Sequence, residues 1–279
     1  VGVEAVHEGR TLRFEAAREV TLALGAVQTP AVLMRSGIGD ERELRSLGIP
    51  LVQYLPGVGQ NLQDHVSFGC IWEYREPVAP RNSGSEATLY WKSDSALTNP
   101  DLLFCQAEFP VPSPETANRG TPEHGWTMFA GLALPKSRGR VSLRNAEPLA
   151  TPRLELNTLS HPDDVTAAIA CVEVCRALGN SRAFEPLVAR ESMPGPLGAT
   201  EMVRFVRDSA VTYWHQTCSA KMGRDAMSVV DSKLKVYGVD RLRIADGSVM
   251  PRITTGNTMA PCVIIGEKAA RALRDEHDI

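Results

Sequence analysis

The sequence predicts a mixed α/β and α+β protein: an α/β part interrupted by an inserted antiparallel sheet that is flanked by helices. Three observations carry that expectation. Near the start, the apolar run VTLAL at 20–24 leads into a helix signal, as in a sheet buried on both faces. Between about 66 and 156, strand-like segments alternate with turn signals. Towards the end, buried-strand and helix material returns, with Leu242-Arg243-Ile244-Ala245 as a strand and a helix over 259–274.

The elements follow in order. The opening reads as strand, turn at His7-Glu8-Gly9, strand, then a further strand. It has no initiator methionine, signal peptide or targeting segment and resembles the middle of a domain, so an upstream segment is expected. Gln28 to Met34 predicts a helix with Thr29 as N-cap and Pro30 in its first turn. A second helix covers 40–47, and PGVGQNLQDH at 56–65 reads as an extended loop. Strands are expected at 66–74, 102–109, 125–134, 139–144 and 152–156, with Lys136-Ser137-Arg138-Gly139 as a tight connection between two of them. Residues 75–100, rich in Pro, Ser and Asn, read as a long loop or lid. A helix over 161–178 is capped by Ser160, carries Pro162 in its first turn, and places Asp163 and Asp164 against the helix dipole. Another helix covers 199–208.

Composition bounds the function. The 279 residues are 43% hydrophobic and suit one large domain or two smaller ones. A net charge of −3 gives no reason to expect nucleic acid or an anionic membrane as partner. No apolar run of about 18 residues, the length of a membrane span, occurs. The six cysteines are too few and scattered for a disulfide scaffold, which suits a reducing compartment such as the cytoplasm. Cys171 and Cys175 lie one helical turn apart and read as packed thiols; no metal site is expected.

The residues with chemistry can each be read in two ways. Gly57-Val58-Gly59-Gln60-Asn61-Leu62 has the first two glycines of a dinucleotide fingerprint and Leu for the third, so the chain carries no self-sufficient nucleotide loop. Gly37-Ile38-Gly39 fails likewise. His215, in TYWHQTC at 212–218, suits a base that takes a hydroxyl proton, and equally suits a packed core position. Asn257 can hold a hydroxyl oxygen through its amide, or simply cap the last helix. Arg35 and Arg252 suit cofactor phosphate or plain surface charge. His7, His124, His161 and His277 are expected at the surface.

Gly25-Ala26-Val27-Gln28-Thr29-Pro30-Ala31-Val32-Leu33-Met34-Arg35-Ser36-Gly37-Ile38-Gly39 resembles a signature of the glucose–methanol–choline (GMC) family of flavin oxidoreductases. PGVGQNLQDH and DRLRIADGSVMPRITTGNTMAPCVIIGEKAARAL are similar to further blocks of that family, in the same order. The resemblance runs along the whole chain but only onto the family's C-terminal half. It implies FAD as cofactor and a small-molecule alcohol as substrate. It also implies, as a further partner, the family's N-terminal half with its flavin-binding βαβ unit.

Residue by residue, the resemblance places the family's catalytic histidine at His215, ahead of Lys221-Met222-Gly223, and its second catalytic position at Asn257. Ala245, Asp246 and Gly247 are then expected against the flavin, with Gly25, Ala26, Asn61, Trp214, Thr258 and Met259 as further cofactor contacts. His65 lies in a loop the family places near the flavin, with a binding role rather than that of a base. The implied domains are 1–67 as the last part of an FAD-binding domain, 68–205 as a substrate-binding domain, and 206–279 as the return to the first. The implied reaction moves a hydride from the alcohol carbon to flavin N5 while His215 takes the hydroxyl proton. A hydroxynitrile lyase, a photodecarboxylase and an inactive fragment are the alternatives. Tyr213, Trp214 and Trp126 are candidates for shaping the pocket, and an aromatic cage would suit a quaternary ammonium.

Overall fold

The chain begins on an antiparallel hairpin, β1 (Gly2–His7) and β2 (Arg10–Glu15), whose residues all lie in solvent. Glu8 and Gly9 close it with φ of 50° and 74°, the left-handed turn that glycine accepts without steric cost. The computed structural model describes residues 2–81, 83–85 and 87–278.

β3 (Val20–Leu22) leads into α1 (Gly25–Arg35). The expected N-cap at Thr29 is not observed, because the helix starts four residues earlier. Its first N–H, on Gly25, is taken by the Asp246 carboxylate at 3.0 Å. Thr29 is buried inside the helix and donates its hydroxyl to the same carboxylate at 2.6 Å. Pro30 therefore lies within the helix rather than in its first turn. A proline there cannot donate to the carbonyl four residues back. That carbonyl, of Ala26, instead accepts from the Ser219 hydroxyl at 2.5 Å.

β4 (Ile38–Gly39) is followed by α2 (Glu41–Ser46), which Asp40 caps by accepting from the amides of Arg42 and Glu43. β5 (Gln53–Tyr54) pairs parallel with β4. β6 (Gln60–Leu62) precedes β7 (Val66–Tyr74), and β8 (Thr88–Trp91) then forms inside the stretch expected to be a loop. Its four residues pair antiparallel with β9 (Leu102–Ala107), and the polar surroundings hide so short a strand in the sequence. β10 (Gly125–Leu132) pairs with both β9 and β7.

The connection at Lys136–Gly139 does not join neighbouring strands. β11 (Gly139–Ser142) leaves the large sheet and pairs with β6 and with β12 (Arg153–Glu155). Asp164 holds the connection, accepting from the amides of Lys136 and Ser137 at 2.7 Å and from the Ser137 hydroxyl at 2.5 Å. Asp164 belongs to α3 (Pro162–Gly179), whose N-cap is His161, not Ser160; the His161 ring accepts from the Asp163 amide at 3.2 Å. β13 (Val188–Met193), α4 (Ala199–Asp208) and β14 (Ala210–Thr212) follow, and both strands pair with β7. β15 (Leu242–Ile244) returns to pair parallel with β3, and α5 (Met259–His277) ends the described chain.

The core gathers in two main clusters. One packs α1, β3 and β15 around Leu33, Leu44, Val230 and Ile244. The other packs α3 and α4 on the large sheet, whose order is β13-β7-β10-β9-β8. In the second, Cys70, Cys171 and Cys175 are buried thiols, and Trp72 stacks on Trp126 with ring centres 4.5 Å apart. Among the described residues no helix is long and apolar enough to cross a membrane.

Candidate active site

The site forms where the loop ahead of β7 meets the turn after β14 and the loop that leads into α5. Asp64 organises the turn. One carboxylate oxygen accepts from the His215 amide at 2.9 Å. The other accepts from the Gln216 side-chain amide at 2.8 Å and from the Thr212 hydroxyl. Thr212 in turn accepts from the Trp214 amide at 2.9 Å. This clamp holds Trp214 at φ 57° and turns its ring outward, where it is 78% exposed. A left-handed tryptophan is costly and persists only where its surroundings over-determine it.

Two imidazoles meet inside the clamp. Nδ1 of the fully buried His65 lies 2.9 Å from Nδ1 of His215, and Nε2 of His65 lies 2.8 Å from the Thr254 carbonyl oxygen. The two rings stand at 90°, while Tyr213 lies parallel to His215 with centres 5.6 Å apart. Burial is the main cause that pushes His65 down to about 4, and the neighbouring His215 adds to it. Burial also lowers His215, with Asp64 pulling the other way. Asp64 is raised by burial, against the hydrogen bonds from Thr212, His215 and Gln216. For both imidazoles burial works against the charged form.

Three of the residues expected around the cofactor, Asn61, Ala26 and Gly247, bond to the buried segment 217–220, and Gly25, Ala245 and Asp246 are their chain neighbours. Asn61, at φ 65°, donates to the carbonyls of Cys218 and Pro251, each at 3.3 Å. The Gly247 carbonyl accepts from Cys218, and a side chain at Gly247 would meet Cys262 Sγ at 3.1 Å. The Ala245 amide donates to Leu22, and the Ala26 carbonyl takes Ser219. Asp246 accepts from Gly25, Thr29 and the Ser248 amide, so its carboxylate ties the start of α1 to the 245–248 turn. The remaining expected residues lie along the open side. Asn257 is exposed, Met259 is 72% exposed, and Thr258 is the N-cap of α5 with its side chain buried.

That open side fits a flavin. No side chain caps α5, and its first turn carries no acidic residue. The first amides of such a helix are unpaired donors and carry partial positive charge. Both properties suit an electron-rich ring edge, and Met259 and Trp214 are exposed apolar side chains. From the other side, a side chain at Gly256 would lie 3.5 Å from the Tyr90 hydroxyl, so β8 reaches the same loop.

Other expectations are redirected. Arg35 donates to the carbonyls of Glu147 and Ala150 and braces a surface turn, whereas Arg252 is exposed. His277 is half-buried rather than at the open surface and lies 3.1 Å from Glu19. Glu19, Glu276 and His277 have the spacing of a metal site, but the Arg243 guanidinium already binds both carboxylates. The organising role of Asp64 and the direct contact of His65 with His215 were not foreseen. Their one signal is the adjacency of an acid and a histidine in NLQDH.

Family models of GMC oxidoreductases match residues 1–67 and 135–266. Oxygen-dependent choline dehydrogenase of Stenotrophomonas maltophilia (strain R551-3) is 36% identical over 98% of this chain and 54% of its own length. The crystal structure of pyridoxine 4-oxidase from Mesorbium loti superposes with a TM-score of 0.93 at 30% identity, over 99% of this chain and 55% of that one. Formate oxidase of Aspergillus oryzae RIB40, studied for the modification of its FAD, superposes with a TM-score of 0.86 at 27% identity, over 99% of this chain and 57% of that one. The chain thus spans about half the length of the relatives it matches. FAD is the cofactor of this group, and the open side of α5 fits it. The ordered blocks, the two family models and the shared fold establish one conclusion: the chain belongs to the GMC oxidoreductase family.

Proposed function

We propose that the chain forms the catalytic part of an FAD-dependent enzyme that oxidises the CH–OH group of a small alcohol, with His215 as general base. The observation that carries this reading is the half-buried His215 imidazole, whose main chain Asp64 fixes and whose ring meets His65. Bound FAD supplies the acceptor for the hydride that leaves the alcohol carbon. His215 takes the hydroxyl proton, a role that requires a neutral ring within hydrogen-bond reach. Asn257 holds the hydroxyl oxygen through its amide and sets the distance to His215. A histidine at this position supports alcohol oxidation over the decarboxylase reading. Choline and pyridoxine, named in two of the relatives, are both alcohols.

The proposed division of labour follows the two cores in the main, with Val141 and Leu143 of the inserted part packing into the first core and Val66 and Val206 into the second. Residues 1–67 and 206–279 form the cofactor side, and residues 68–205, inserted between them, form the substrate side. With Leu62 in place of the third fingerprint glycine, the FAD pyrophosphate is assigned to a βαβ unit outside this chain.

The test is His215→Ala in the full-length enzyme. Turnover with primary alcohols should fall by ~10² or more, the usual contribution of a positioned base. The visible absorption of bound FAD should persist. Near-normal turnover in this variant would refute the assignment of His215.

A further inference from the structure

We infer that His65 is a positioning residue that sets the tautomer of His215. The Nδ1 lone pair of His65 accepts a hydrogen bond from Nδ1–H of His215 and leaves Nε2 of His215 as the proton-accepting atom. This rests on reading His215 as the base.

The argument is one of counting protons on four nitrogens. The Thr254 oxygen is a main-chain carbonyl and can only accept, so Nε2 of His65, 2.8 Å away, must carry a hydrogen. His65 is fully buried and held neutral, so its single ring proton is then used. Its Nδ1 therefore bears a lone pair. Nδ1 of His215 lies 2.9 Å from that lone pair, a contact that needs one hydrogen between the nitrogens. The hydrogen can only come from His215. A neutral His215 protonated on Nδ1 is unprotonated on Nε2, and Nε2 has no hydrogen-bond partner among the described residues.

The surroundings agree. Asp64 faces the pair through the His215 amide, and Tyr213 lies flat on the His215 ring. Neither bonds to an imidazole nitrogen, so neither imposes the other tautomer. The Ala133 main chain also faces His65 and, like Thr254, favours a proton on its ring. In the base step the alcohol O–H bond breaks and an N–H bond forms at Nε2. The resulting imidazolium keeps its Nδ1–H bond to His65, and the Asp64 charge favours it. The ring oriented by a second group is the general logic of a positioned base. Here the orienting group is a neutral imidazole rather than a carboxylate.

The tautomer can be read directly. The full-length, FAD-loaded enzyme with 15N-labelled histidine would give long-range proton–nitrogen correlations, and the His215 signals would be assigned from their loss in His215→Gln. The expected pattern at neutral pH is a proton on Nδ1 and none on Nε2. Two variants separate the role of His65 from simple packing. His65→Asn keeps an acceptor where Nδ1 stood and should keep the tautomer and most of kcat. His65→Gln keeps a donor towards Thr254 but no acceptor beside His215. It should return Nε2–H to His215 and lower kcat ~10-fold or more with little change in KM, the size of a disturbed acid–base contribution. A wild-type His215 protonated on Nε2 overturns the inference, whether or not the variants fold. So does an equal loss of kcat in both variants with the tautomer unchanged. The base reading fails separately, through the turnover of His215→Ala.

Discussion

The proposed base His215 can accept a proton only while its ring is neutral, and burial together with Asp64 decides where that happens. Burial lowers its pKa below the ordinary 6.5, and Asp64 alone pulls it back. The sign follows: kcat/KM should rise with pH through this pKa and level off above it, with the acid limb below 6.5. Asp64→Asn keeps much of the hydrogen bonding of the 212–216 turn but removes the charge. Its acid limb should move to lower pH, and the pH profile of kcat/KM measures this. A limb that stays in place or moves upward contradicts the geometry described here. Of these residues, NLQDH and TYWHQTC were legible as separate motifs. Their meeting was not, because no local period relates positions 150 apart.

At the scale of elements, α1 shows how a helix is completed from outside. Its start is capped by Asp246, 221 residues away, and the carbonyl freed by Pro30 is taken by Ser219, 193 residues from Ala26. Ser219 is fully buried. Ser219→Ala should therefore cost ~1–3 kcal/mol, the penalty for leaving a buried acceptor unpaired. Adding Pro30→Ala restores a backbone donor inside the helix and should recover part of that loss. Denaturant midpoints of the single and double variants give the comparison; additive losses would show that the Ala26 carbonyl is not the common partner. Such completion explains why Thr29 looks like an N-cap and is not one. Its hydroxyl does bond to the helix start, on the Leu24 amide at 3.2 Å, but from inside the helix. A cap rule reads only the adjacent residues.

At the scale of the molecule, Arg243 ties distant segments together. It is fully buried, binds Glu19 before β3 and Glu276 near the end of α5 at 2.7 Å each, and itself sits on β15. Lys235 and His277 complete the network at 3.0 and 3.1 Å. Arg243→Met leaves Glu19 with His277 as its remaining partner and should destabilise by ~3 kcal/mol. Arg243 is also the first cause that holds Glu19 below its ordinary 4.5. That part of the stability is present above pH 4.5 and is lost as pH falls through the folded pKa. The gap between wild type and Arg243→Met, measured by urea unfolding, should accordingly narrow in acid. A gap that widens in acid would contradict the pairing.

By itself the sequence determined the inventory: a strand near each end, though the first is shorter and more exposed than expected, strands between, helices near 161–178 and 199–208, and the motifs around His215 and Asn257. Those features are local, set by periodicity, caps and residue type within a few positions. Only the tertiary structure decided that β8 forms inside a polar stretch and that β11 leaves the strand before it to join β6. It alone decided that Asp246 completes α1 and that His65 meets His215. The physical reason is common to all four. A hydrogen-bond partner is chosen by which distant segment the packed core brings within about 3 Å, and no pattern along the chain records that distance.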